Sequence, residues 1–219
     1  MNYRYQKPHP LLSDYVRTVL IPDNHEQQGI SSLPLVTNGM PAVIFKDSRV
    51  TLFGRSVPDE TWQEGVIAYF TMPFMMAPLF NISIKELMSR PVHFEADSIQ
   101  DLILKKLATN QKNCDIIKYA TDTVMLDPRP GILKALPVNE RTLQRLFQRF
   151  VGITPSQYRR ICQFQQSFTQ LRSKDYETLA AVAHENGFAD QSHFIRTFKE
   201  FANTTPNDYL RSGLKRGGG

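Results

Sequence analysis

The sequence predicts an α+β chain, with a β-rich front part followed by an all-α half. Three observations carry that expectation. Residues 1–95 hold short apolar runs broken by Gly, Pro and Asp; one helical pattern is written twice, 51 residues apart; and the charge is divided unevenly between the halves.

In the front part the runs Ala42-Val43-Ile44-Phe45, Val50-Thr51-Leu52-Phe53 and Val66-Ile67-Ala68-Tyr69-Phe70 have strand length and strand composition. Turn residues bound each of them, which predicts a small β-barrel or sandwich. Residues 96–111, with Leu102, Ile103, Leu104 and Leu107, read as a connecting helix. An apolar pocket in this part would draw on Trp62, Tyr69, Phe70, Met72, Phe74 and Met75, residues that serve equally well as plain core. Phe74-Met75-Met76 also suits an adaptable contact surface.

The repeat lies in residues 112–212. Leu146-Phe147-Gln148-Arg149-Phe150-Val151-Gly152-Ile153-Thr154-Pro155-Ser156-Gln157-Tyr158 recurs as Thr197-Phe198-Lys199-Glu200-Phe201-Ala202-Asn203-Thr204-Thr205-Pro206-Asn207-Asp208-Tyr209. In the second copy a helix beginning near Tyr176 stops at Asn186-Gly187, where Gly suits a left-handed C-terminal cap. Asp190 then caps a second helix, whose apolar side is Phe194, Ile195 and Phe198. Gln191, Ser192, His193 and Arg196 stay on its polar side. Helix, tight turn and helix with a polar leading face is the sequence form of a helix-turn-helix.

The first copy aligns without a gap over its second helix. Asn139 stands where Asp190 stands, Leu143, Leu146, Phe147 and Phe150 form the buried stripe, and Arg141, Gln144 and Arg145 face outward. Between the copies, Pro155 to Arg172 reads as one helix about 25 Å long at 1.5 Å per residue. Two such units on one rod would meet a long, periodic polyanion, and duplex DNA is that partner.

Charge agrees. Residues 1–111 hold ten Lys/Arg against eleven Asp/Glu, and residues 112–219 hold sixteen against ten, so the net +5 resides in the repeated half. A basic half beside a neutral one points to polyanion binding.

The stretch Gly187-Phe188-Ala189-Asp190-Gln191-Ser192-His193-Phe194-Ile195-Arg196-Thr197-Phe198-Lys199, followed by Thr205-Pro206, resembles the second helix-turn-helix of the AraC/XylS family of bacterial transcription regulators. The resemblance covers about residues 112–212. It implies a DNA-binding domain of two helix-turn-helix units and a linker helix, with DNA contacts from Arg141, Gln144 and Arg145 in the first unit and Gln191, Ser192, His193 and Arg196 in the second. Pro10-Leu11-Leu12, Tyr15-Val16, Leu33-Pro34, Leu52-Phe53-Gly54 and Pro73 to Phe80 are similar, more faintly, to the cupin-like sensor domain of one subgroup. Two departures stand out. Pro128 to Val138 is broken by three prolines, which shortens the first helix of the first unit to one or two turns. Asn203 replaces the usual Gly, a mild change because Asn accepts the left-handed conformation.

The expected organisation is therefore a β-rich sensor or dimerisation domain over 1–95, a connecting helix over 96–111, a DNA-binding domain over 112–212 and a disordered tail from about Arg211, with 213–219 outside the domain. The expected function is sequence-specific transcription regulation in the cytoplasm, on double-stranded DNA, modulated by a small molecule or by homodimerisation, with RNA polymerase as a further partner. The alternative is a protein-interaction module with weakened DNA binding on the same scaffold. No cofactor, metal or membrane is called for. His9, His25 and His93 are scattered in the front part, and no serine elbow, phosphate loop or dinucleotide fingerprint occurs, so catalysis is not expected. Cys114 and Cys162 lack metal-ligand spacing and read as reduced, buried thiols. No apolar run reaches the roughly 18 residues a membrane helix needs.

Overall fold

The computed structural model describes residues 2–23, 41–54, 57–109 and 115–214; His25, Leu33, Pro34, Cys114 and the tail from Lys215 lie outside the described residues. The class is α+β, as the sequence predicts. The chain divides into two compact units. One comprises Met1–Lys118 with Gln144–Ile153, the other Tyr119–Leu143 with Thr154–Gly219.

The first unit is built on strands β1 (Asn2–Gln6), β2 (Val16–Asp23), β3 (Ala42–Lys46), β4 (Arg49–Phe53), β5 (Ile67–Thr71) and β6 (Val92–Glu95). They form one antiparallel sheet in the order β1-β2-β5-β3-β4-β6. The three apolar runs named above become β3, β4 and β5. The β3–β4 hairpin turns on Asp47 and Ser48, both at positive φ (48° and 60°). Two consecutive left-handed residues match the twist of the flanking strands, and Lys46 pairs Arg49 across the turn.

Short helices α1 (Met76–Phe80) and α2 (Ile84–Ser89) lie between β5 and β6, and α3 (Ile99–Thr109) falls within the expected connecting helix. Val43, Val50 and Leu52 from the sheet meet Met76, Leu79, Ile84, Leu87 and Ile103 from the helices in a single core. Of the apolar residues considered for a pocket, two pack against this core. Phe70 and Phe74 are buried, Tyr69 and Met75 lie half-buried against the core, and Trp62 meets Tyr3 edge-on at 5.4 Å.

The repeated half supplies α4 (Asp115–Leu126), a single 3₁₀ turn (Ile132–Ala135), α5 (Glu140–Phe150), α6 (Pro155–Ser173), α7 (Leu179–Glu185), α8 (Gln191–Ala202) and α9 (Pro206–Leu214). Helix α9 continues to Leu214, past Arg211, where the tail was expected to begin. Thr205 caps this helix, its Oγ1 accepting from the Asp208 N–H at 3.2 Å. Among the described residues, no helix is long and apolar enough to cross a membrane.

Candidate nucleic-acid interface

The second helix-turn-helix is fixed at each of its three joints. Thr178 caps α7, its Oγ1 accepting from the Ala181 N–H at 3.0 Å. The helix ends in a Schellman closure: the Gly187 N–H donates to the His184 carbonyl (3.1 Å) and the Phe188 N–H to the Ala183 carbonyl (2.9 Å). Gly187 has φ +71°, and a Cβ there would lie 2.7 Å from Arg129 Cα, so the turn is held by conformation and by lack of space. The Gln163 side chain donates to the Gly187 carbonyl at 2.6 Å, and Asn186 Nδ2 donates to Gln170 Oε1 at 2.7 Å. Arg129, which presses on the turn, is itself held by Asp127 through Nε (2.8 Å) and Nη2 (2.7 Å). The guanidinium beside Asp127 lowers its carboxyl pKa, mainly through those hydrogen bonds.

Asp190 caps α8, its Oδ1 accepting from the His193 N–H at 2.6 Å. From that start Phe194, Thr197 and Phe198 turn inward and are buried, while Gln191, Ser192 and Arg196 are exposed. The anchor is an aromatic cluster: Phe198 lies 5.8 Å from Phe194, 5.5 Å from Phe164 and 6.0 Å from Tyr209 between ring centroids. His193 is half-buried, its ring edge-on to Phe188 at 5.4 Å, with Nδ1 accepting from the Ala189 N–H at 3.4 Å. One ring nitrogen is thus engaged within the protein.

The first unit shares the recognition-helix half of this design. Asn139 Oδ1 accepts from the Thr142 N–H at 2.9 Å, which caps α5. Leu143 and Phe147 are buried; Arg141, Gln144, Arg145, Gln148 and Arg149 are exposed. Arg141, Arg145 and Arg196 make no ion pair with any described residue. The segment before α5 is different from its counterpart. The expected short first helix is the lone 3₁₀ turn, opened by Gly131 at φ +95° without a side-chain cap and closed by extended Leu136.

The residues expected from the sequence lie in the first two turns of α5 and α8. Arg149 and Lys199 continue the exposed faces further along. The signal was present for Arg149, because Arg141, Arg145 and Arg149 recur at i+4 along one stripe of the helix. The cap residue Thr178 lies inside the helical pattern of the sequence, which begins near Tyr176, three residues ahead of α7.

Between the two units of the repeat, Thr154 and Gln157 cap α6 reciprocally: the Gln157 N–H donates to Thr154 Oγ1 (3.2 Å), and the Thr154 N–H donates to Gln157 Oε1 (2.9 Å). Pro155 occupies the first turn, where its missing N–H costs nothing. At 19 residues the helix is about 28 Å long. Cys162 is buried along it as a free thiol.

Residues 132–212 match the protein family described as Helix-turn-helix domain. A probable transcription factor of Proteus vulgaris, PqrA, is 30% identical over 118 residues, covering 54% of this chain and 88% of that protein. ToxT of Vibrio cholerae O395, solved with (E)-4-(8-methylnaphthalen-1-yl)but-3-enoic acid, is 14% identical with a TM-score of 0.44, covering 79% of this chain and 87% of that chain. Unsaturated fatty acid bound wild-type ToxT of Vibrio cholerae strain SCE256 is 14% identical with a TM-score of 0.43, covering 79% and 84%. With its match to the helix-turn-helix family over residues 132–212 and to PqrA, the chain belongs to the AraC/XylS family of helix-turn-helix, DNA-binding transcription regulators, which are not enzymes.

Proposed function

We propose that the chain regulates transcription by reading sequence through α8 and α5. The contacts fall to Gln191, Ser192, His193 and Arg196 in the second unit and to Arg141, Gln144 and Arg145 in the first. The observation that carries this reading is the division of α8: Phe194, Thr197 and Phe198 are buried, while Gln191, Ser192 and Arg196 face outward from a capped N-terminus. A recognition helix enters the major groove by its first turns, and these side chains are of types that bond base edges or phosphates there. Each helix would read one groove segment, so the target need not be palindromic. Backbone contacts by Lys and Arg would supply much of the affinity and make it fall steeply with salt.

The test is selection of genomic fragments by the purified chain at about 150 mM salt, where non-specific binding is weak. Two submotifs about one turn apart would support paired reading. One short submotif would confine base reading to α8. No enrichment, together with no salt-sensitive binding to any duplex, would overturn the assignment.

A second reading has one specific observation in its favour. The 3₁₀ turn over Ile132–Ala135 is all that directly precedes α5, so the first unit lacks the braced first helix that aims α8. A protein-interaction role for that unit, with weakened DNA binding, is favoured if random duplex binding proves insensitive to salt.

For the front unit we propose modulation of DNA binding, by a small molecule or by pairing of two copies, in the cytoplasm and with RNA polymerase as the downstream partner. Its own packed core, distinct in composition from the basic half, supports a separate task. A ligand can act only by binding two states of the chain with different affinity. Thermal stabilisation across a metabolite panel, with sedimentation to read the oligomeric state, tests both routes.

A further inference from the structure

The first compact unit contains ten residues of the repeated half, Gln144–Ile153, and a glycine slot shows how they are seated. Met88, near the end of α2, is half-buried against the core. A Cβ at Gly54, just after β4, would lie 2.9 Å from Met88 Sδ and 2.8 Å from the Leu87 carbonyl oxygen. A Cβ at Gly152, just after α5, would lie 2.9 Å from Met88 Cγ, 3.3 Å from its Cε and 2.9 Å from Ile84 Cγ1. Real side chains do not approach so closely, so the thioether occupies space that two absent side chains leave open. Gly152 also has φ +81°, and its N–H and that of Val151 both donate to the Phe147 carbonyl at 2.8 Å, which ties the glycine to the last turn of α5.

We infer that Met88 is a positioning residue for the first reading helix. Its side chain fixes where the C-terminal end of α5 rests on α2, and so couples the direction of Gln144 and Arg145 to the packing of the sheet. Ile84 and Leu87, which flank Met88 on α2, belong to the same core as Val50 and Leu52 of β4. A change in that core reaches the end of α5 through Ile84 directly and through Met88, a flexible, polarizable side chain of the type that accepts more than one seat. Packed elements pass on small shifts by repacking between discrete arrangements. The inference rests on the reading that α5 meets DNA.

The test uses the full chain with Met88→Ala, which empties the slot, Met88→Leu, which refills it, and Gly54→Ala, which crowds it from the β4 side with the sequence of α5 unchanged. Two readouts are taken: amide hydrogen exchange over residues 144–150, and affinity for the selected duplex against the same duplex with its first segment scrambled. Met88→Ala should speed exchange in α5 by about tenfold. It should weaken the intact duplex by at least about threefold, leave the scrambled duplex unchanged, and be reversed by Met88→Leu. Gly54→Ala should move the same two readouts and supplies the answer should Met88→Ala not fold. Unchanged exchange over 144–150 in a folded variant overturns the inference. Faster exchange with unchanged affinity upholds the positioning and overturns α5 as a DNA contact.

Discussion

The two helix-turn-helix units share a register and differ in their support. Phe147 and Phe198, 51 residues apart, are both fully buried, and Asn139 and Asp190 cap α5 and α8 in the same way. Ahead of α8 stand a capped helix, a Schellman closure at Gly187 and side-chain bonds from Gln163 and Asn186. Ahead of α5 stand one 3₁₀ turn, an extended Leu136 and Pro137. The second unit is therefore braced from in front, by its own first helix. The first is held from behind, where Gly152 meets α2. One recognition element can be aimed from either end, so the residues after a helix matter as much as those before it.

The largest expected effect comes from removing an anchor. Phe198→Ala empties the centre of the aromatic cluster and should cost about 3–5 kcal/mol of stability by denaturant unfolding, with Phe147→Ala in the same range. A much smaller loss in either would mean that the repeat's register is not matched by its packing. Next are the proposed reading side chains: Arg196→Ala and Arg141→Ala should each weaken specific binding by roughly 1–3 kcal/mol in a titration against the selected duplex. Full affinity in both would sink the assignment of these helices, and loss in Arg196→Ala alone would confine base reading to the braced unit.

The caps give a finer comparison. Asp190→Ala and Asn139→Ala should each cost about 1 kcal/mol in thermal unfolding, since each leaves one N–H of the first turn without its acceptor. The smallest effect concerns Asp127, whose carboxyl pKa is lowered by Arg129. A lowered folded value contributes stability above the ordinary carboxylate range, lost as pH falls through the folded value. Acid titration should therefore destabilise the native chain slightly more than Asp127→Asn, and equal pH profiles would show that the pair does not brace the Gly187 turn.

Much of this was legible from residue order. Asn139, Asp190, Gly187 and Pro155 each act within a few residues of themselves, through a cap, a left-handed turn or a first-turn proline, and local chemistry of that kind reads directly. The three apolar runs became β3, β4 and β5 because β-branched and aromatic residues at strand length leave few other outcomes. Helices α1 and α2 were not resolved from the surrounding apolar sequence. Each is too short to show a helical period, and left-handed Asn81 after α1 gives little warning by itself. The seating of α5 was out of reach, because Gly54, Met88 and Gly152 are brought together only by the tertiary fold.

Gly152 and Asn203 occupy equivalent places after the two reading helices, and both take the left-handed conformation, at φ 81° and 54°. Yet they are not interchangeable. Asn203 answers to one demand, the backbone twist, and glycine would meet it equally well. Gly152 answers to two, since any side chain would strike Ile84 and Met88. A trade between the copies thus runs in one direction only: the left-handed site at 203 accepts glycine, whereas the slot at 152 has no room for asparagine.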